Sequence, residues 1–298
     1  MTTLEPLSRE LPANEPGRAR PRFSVVVPAY NEAEFIGSCL ESLLAQDFPG
    51  SYEIVVVDNN STDGTGDIAR SKGVRVVTET NPGVCWARQC GTLAATGEIV
   101  VSTDADTVFG RSWLSSIDRA FRDDPARVAV AGPCRFVDAP VWGRMYAWTL
   151  FRLVNLTMRL FGWIPYVTAT NIAFRRSEWT GYDTQATQGG DELDLLRKLR
   201  GRGPVTFNID NPVFTSSRRL YKGLAYNIAA TFLFYYLIGY AVNRLTGRTL
   251  IGMAPAFRTK ARPVGRRRKV QLLVTAGVWL AVVGVVGDLA LHIADRLL

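Results

Sequence analysis

Histidine is almost missing from this 298-residue chain, and His292 is its only example. The four cysteines, Cys39, Cys85, Cys90 and Cys134, are scattered, with no Cys-x-x-Cys pair. That excludes a zinc-type ligand set and a disulfide framework, and suits a reducing compartment such as the cytoplasm. The N-terminus has no apolar run of the secretory kind. Acid is also missing from one long stretch. Between Asp210 and Asp288 there is no carboxylate, while Arg218, Arg219, Lys222, Arg244, Arg248 and a cluster from Arg258 to Lys269 all fall there. The net charge of +8 is carried by that stretch, and the rest of the chain is slightly acidic. Basic charge beside apolar runs points to anionic lipid headgroups, and no motif for a nucleic-acid partner accompanies it.

What is present begins with a proline-bearing tail over 1–21, for which no structure is expected. From Phe23 onward, short apolar runs alternate with helical patterns. Phe23–Val27, Tyr52–Val57, Val74–Val77 and Ile99–Val101 read as strands, the first ended by Pro28. Asn31–Leu44, Asp67–Lys72, Val84–Ala95 and Ser112–Arg122 read as helices. This alternation predicts βαβ units and an α/β fold with a mainly parallel sheet flanked by helices. Further strands are expected at Val128–Gly132 and Val167–Phe174, and a helix from Asp191. The intervening stretch Val141–Trp163 is aromatic and carries three arginines. It fits either a pair of core helices or an interfacial amphipathic segment.

Chemistry concentrates at Asp104-Ala105-Asp106, directly after the apolar run Ile99–Val101. A buried strand emerging there would place both acids at the carboxyl end of the sheet, where ligands of open α/β sheets bind. Carboxylates two positions apart in extended chain point the same way and can share a hard cation such as Mg²⁺. A surface turn is the plainer alternative, since Asp and Thr are common turn formers. Likewise Asp191 and Glu192 stand where acids favour a helix start, whatever else they do.

Five pieces fall in order: Val25-Val26-Val27-Pro28-Ala29-Tyr30-Asn31-Glu32; Val57-Asp58-Asn59-Asn60-Ser61-Thr62-Asp63-Gly64-Thr65; Asn81-Pro82-Gly83 with Ala87-Arg88 and Gly91; Asp104-Ala105-Asp106; and Gly190-Asp191-Glu192-Leu193-Asp194-Leu195 with Arg197. Together they resemble a family 2 glycosyltransferase of the GT-A (Rossmann-like) fold, over about Phe23 to Gly203. The resemblance implies inverting transfer of a sugar from a nucleotide-diphosphate donor, with Mg²⁺ or Mn²⁺. It implies that Pro28, Ala29, Tyr30 and Glu32 line the nucleotide pocket and that Asp58 meets the base edge. Arg88 would lie on the nucleotide side, Asp104 near the ribose and shared metal, and Asp106 on the metal itself. The general base would be Asp191 or Glu192, whose order is the reverse of the family's usual Glu-Asp. Arg218 and Arg219 fit either a contact to the diphosphate or a basic pair at a membrane surface.

The C-terminal part, 216–298, is expected to be membrane-associated. Val270–Gly287 is uncharged, follows Arg266-Arg267-Arg268-Lys269 and has the length of a transmembrane helix. Gly223–Asn243 is expected to be a helix lying in the interface (223–243) or a re-entrant one. Those expectations describe a membrane-anchored transferase with its catalytic domain (22–215) on the cytoplasmic side and a lipid or lipid-linked acceptor. A membrane-tethered protein that binds a nucleotide sugar without transferring it is the alternative.

Overall fold

A computed structural model describes residues 20–184, 191–218 and 220, with Asp191 described in its backbone only. Ten strands and six helices follow one another along this part of the chain. The strands are β1 (Phe23–Ala29), β2 (Tyr52–Asp58), β3 (Arg75–Thr78), β4 (Ile99–Ser102), β5 (Thr107–Phe109), β6 (Ala129–Ala131), β7 (Cys134–Val137), β8 (Ile172–Arg175), β9 (Val205–Phe207) and β10 (Val213–Ser216). The helices are α1 (Ile36–Leu44), α2 (Thr65–Ser71), α3 (Val84–Ala94), α4 (Trp113–Asp123), α5 (Val141–Phe161) and α6 (Asp191–Arg200).

A seven-stranded sheet runs in the order β3-β2-β1-β4-β8-β6-β9. Its β1–β2, β1–β4, β2–β3 and β6–β9 pairings are parallel, and β8 lies antiparallel to both β4 and β6. The sheet is therefore mixed. Every residue of β1 is buried, as expected for a central strand covered by helices on both faces. Strand β1 also runs through Pro28, where a strand end was expected. Val26 accepts the Thr103 N–H on the β4 side, and Pro28, two residues on, faces that same side after the β4 pairing has ended. Its missing N–H therefore costs no ladder bond.

Helix α1 starts five residues later than its sequence pattern predicts. The amides of Asn31, Glu32 and Ala33 are taken instead by the side chains of Ser61, Thr65 and Asp63 in the loop after β2. Asn31 adopts a left-handed φ of 53° there, a conformation Asn tolerates. That crossing ties the carboxyl ends of β1 and β2 together.

A second sheet, in the order β5-β10-β7, extends the acidic turn after β4. Buried amides join it to the main sheet. Trp113 Nε1 donates to Asn171 Oδ1 (3.0 Å), Asn171 Nδ2 donates to the carbonyls of Pro133 and Asn211, and Asn211 Nδ2 donates to that of Trp113. The Trp113 ring lies 4.2 Å from that of Phe109.

The stretch expected to form a helix pair or an interfacial segment is one helix, α5. Trp142, Gly143, Ala147, Phe151 and Val154 face inward, while Val141, Met145, Trp148, Leu160 and Phe161 are exposed. The expected strand Val167–Phe174 shortens to β8.

The membrane anchor expected from sequence is corrected. No helix among the described residues is long and apolar enough to cross a membrane. The 21-residue α5 has the length, but Arg144, Arg152 and Arg159 interrupt it and one side is buried in the domain. Among the described residues the fold class is accordingly α/β with mixed sheets, and no membrane-spanning helix belongs to it. The expected location at the cytoplasmic membrane face is corrected with it. The segments read as an interfacial helix (223–243) and a transmembrane helix (270–287) lie outside the described residues, as does the tail over 1–19.

Candidate active site

The carboxyl ends of β1 and β4 bring three acids together, as parallel strands in an open sheet do. Asp104 and Asp106 stand on the turn between β4 and β5, and Glu32 on the tie after β1. Two guanidiniums answer them. Arg88, buried on α3, donates from Nη2 to Asp104 Oδ1 at 2.7 Å. Arg218, just past β10, donates from Nη2 to Glu32 Oε1 at 2.7 Å and to Asp106 Oδ2 at 2.8 Å. Its guanidinium carbon sits 4.7 Å from the centre of the Phe35 ring, a cation–π contact that holds the head group in place.

Two hydroxyls complete the arrangement. Thr170 Oγ1 donates to Asp104 Oδ2 at 2.8 Å and accepts from Thr168. Thr215 on β10 donates to Asp106 Oδ1 at 3.3 Å. Neither threonine lies near the Asp pair in sequence, and nothing local in the chain singles them out.

Asp106 is held in an unfavourable state. Its side chain is 14% exposed. Burial, with the nearby charges of Asp104 and Glu32, pushes its carboxyl up to about 6 although Arg218 pulls the other way. The same burial, reinforced by Asp106, raises the Cys39 thiol on α1 well above the ordinary range, so Cys39 is an inert neighbour rather than a nucleophile. Its Sγ faces the Asp104 carbonyl at 3.7 Å.

Asp58, at the end of β2, turns its carboxylate across the N-terminus of α2. Oδ1 accepts the Ser61 N–H at 3.0 Å, and Oδ2 lies where a side chain on Gly66 would collide. Glycine at 66 is what leaves room for it. Pro28 and Ala29 form the buried end of β1, and Tyr30 is exposed beside them.

The acidic pair read as the general base opens α6. Glu192 is buried, 6% exposed, and Asp191 begins the helix. The segment before α6 is fastened to α3. Tyr182 N–H donates to Gln89 Oε1 at 2.8 Å, and Lys198 Nζ on α6 donates to the Gly181 carbonyl at 2.9 Å. Gln89 directly follows Arg88, so one helix carries both the Asp104 partner and the fastening of the α6 approach. Arg219 lies outside the described residues. For Arg218, buried ion pairs replace the alternative of a membrane-surface pair.

A divalent cation fits this donor set in one way only. No group of three or more Asp, Glu, His or Cys among the described residues forms a ready cage for a metal ion. Asp106, destabilised as an anion, would be relieved by an added cation, and the missing ligands would have to come from substrate oxygens and water. Mg²⁺ is commonly bound that way, by one or two carboxylates plus phosphates.

Acids and guanidiniums gathered at the carboxyl edge of a Rossmann-like sheet place the charged cluster where open α/β sheets bind their ligands, and that defines the class of fold and site. The family model for glycosyl transferase family 2 matches residues 24–179, just over half of the chain, and the chain belongs to that family. The family part of the glycosyltransferase resemblance is thus borne out, while no helix among the described residues supplies the membrane anchor expected with it. The chain is 38% identical over 101 residues to the glycosyltransferase AglE of Haloferax volcanii, covering 32% of this chain and 33% of AglE. It therefore spans about a third of the length of that relative. Among solved structures it is similar to the mannosyltransferase PcManGT of Pyrobaculum calidifontis in complex with GDP-Man and Mn²⁺. That match has 26% identity and a TM-score of 0.58, over 84% of this chain and 70% of the other. It also shares its fold with S. aureus TarS (residues 1–349) in complex with UDP-GlcNAc, with 22% identity and a TM-score of 0.53, over 66% and 59% of the two chains.

Proposed function

We propose that this chain transfers a sugar from a nucleoside-diphosphate donor to an acceptor hydroxyl, with inversion at the anomeric carbon. The observation that carries the reading is the convergence of Asp104, Asp106, Glu32, Arg88 and Arg218 at one sheet edge. It has both signs of charge that a bound diphosphate and its counter-ion require. Pro28, Ala29, Tyr30 and Asp58 would receive the nucleoside, with Asp58 at the base edge and Asp104 toward the ribose. A Mg²⁺ or Mn²⁺ ion held by Asp106, when bound, would supply electrostatic stabilisation of the departing diphosphate.

The remaining work falls to the protein's own side chains. Arg88 fixes the orientation of Asp104, and Thr170 holds its second oxygen. An acceptor hydroxyl is a poor nucleophile near neutral pH, and a carboxylate within hydrogen-bond reach takes its proton as it attacks. Asp191 or Glu192 fills that role. Attack from the face opposite the leaving diphosphate inverts the configuration.

The acceptor we propose is lipid-bearing or lipid-linked. The support is α5, which packs beside β7 of the small sheet and exposes Val141, Met145 and Trp148 on its outer side. Incubating the purified chain with a panel of nucleotide sugars, Mn²⁺ and either polyprenyl phosphate or water-soluble glycosides tests both halves. Release of nucleoside diphosphate with a glycosylated lipid is expected. Transfer to the soluble glycosides alone would overturn the acceptor assignment, and release of no diphosphate with any donor would overturn the reading itself.

A further inference from the structure

Arg218 occupies an unusual place. It is separated from Glu32 by 186 residues and from Asp106 by 112, yet one nitrogen, Nη2, bridges both carboxylates. The arginine side chain is 11% exposed, and its plane is seated on Phe35. Glu32 is in turn fixed by its own backbone, through the bond to Thr65. This is a rigid socket lined with acid and filled by a cation that the protein itself supplies.

We propose that Arg218 is the resident cation of the donor-free site, and that it leaves the carboxylates for the diphosphate when a divalent ion and nucleotide enter together. The inference rests on the metal assignment in the proposed function and adds an order to it. A divalent ion arriving alone competes with two charge-assisted hydrogen bonds of a mostly buried guanidinium, and breaking them with no anion in exchange is costly in a site this closed. A diphosphate arriving with the ion gives that guanidinium a new anion of matching geometry. Metal and nucleotide therefore bind as a coupled pair, each raising the affinity for the other by the same factor. The device keeps the acidic cluster neutralised between turnovers and stops it from trapping a cation before the donor arrives.

The test is the binding of Mn²⁺, followed by the loss of the free-ion electron paramagnetic resonance signal, with no acceptor and no turnover. Wild-type chain, R218Q and R218K are each titrated with Mn²⁺ alone, and with Mn²⁺ in the presence of GDP or UDP. For wild type, either nucleotide that binds should tighten Mn²⁺ at least tenfold. R218Q should bind Mn²⁺ alone at least tenfold more tightly than wild type and lose most of the nucleotide effect. R218K, which keeps the charge without the fork, should fall between. If Mn²⁺ alone binds wild type and R218Q equally while nucleotide still tightens it in wild type, the exchange is wrong and the metal assignment survives. If wild type takes up no Mn²⁺ with any nucleotide, the metal assignment fails and the inference with it. Should R218Q not fold, thermal melting of wild type decides. Mn²⁺ alone should raise Tm far less than Mn²⁺ with nucleotide, and an equal rise from Mn²⁺ alone would overturn the exchange.

Discussion

Replacing Asp106 by Asn should make the metal-free protein more stable while removing its function. Burial and the neighbouring carboxylates of Asp104 and Glu32 push the Asp106 carboxyl up to about 6, against the opposing pull of Arg218. An ordinary Asp titrates near 3.9, so the folded state holds a proton that the unfolded chain has already lost. Stability therefore falls as pH rises from about 4 through about 6, and the whole penalty is present above about pH 7. A rise of that size corresponds to about 3 kcal/mol, and the solvent that reaches the side chain trims it to about 2–3 kcal/mol. Asn at 106 imitates the protonated acid. Its carbonyl can still accept from Arg218, and Thr215 can reverse its hydroxyl to accept from the amide. For a domain of this size the gain is worth about 5–10 °C in Tm. The assay is thermal unfolding in EDTA, wild type against D106N, from pH 4 to pH 8. The two melting curves should coincide near pH 4 and separate with D106N the more stable by pH 7. A D106N variant no more stable than wild type at pH 8 would show that Arg218 fully compensates the charge, and would refute the reasoning.

Other outcomes follow from the same contacts. Of D191N and E192Q, the variant that removes the base should lower kcat by about 10²–10⁴ with little change in donor affinity, read from initial rates and nucleotide titration. N171A should cost about 3 kcal/mol in urea unfolding, because it removes the partners of Trp113 Nε1 and the Asn211 carbonyl in a buried site, while the Pro133 carbonyl keeps the Val213 N–H. At Gly91 on α3, an added methyl would collide with Val26 and Val57 of the central strands. G91A should therefore lower stability by about 1–3 kcal/mol.

The strands that build the site's floor were readable because they are continuous β-branched runs, as in Val25–Val27 and Val55–Val57, and a buried parallel strand needs no alternation. Asp104-Ala105-Asp106 was readable for the same reason: a polar turn directly after such a run has few other places to be. The small sheet was not. Strands β5 and β10 are three and four residues long, and although burial alternates along them, Thr107 and Thr215 are buried while Val108 and Phe214 are exposed, so residue type does not mark them. Thr170, Thr215 and the Arg218 bridge meet the acids only through tertiary contacts across 66 to 186 residues. Arg218 read equally well as a surface base because charge alone does not report burial. The membrane reading arose in a similar way, from hydropathy and basic flanks, and no helix in the described part supports it. In α5 the aromatic and apolar residues that suggested an interface divide between the core and an exposed side. An amphipathic pattern cannot separate those outcomes unless its partner is known.

Crystals of the wild-type chain grown with Mn²⁺ and the nucleoside diphosphate that stabilises it best, measured at the manganese absorption edge, test the central claim most directly. The account predicts an anomalous peak within about 2.0–2.3 Å of an Asp106 carboxylate oxygen, bridging to the diphosphate. Diphosphate bound at the strand ends with no manganese on Asp106, and with Arg218 still holding its two carboxylates, would contradict it.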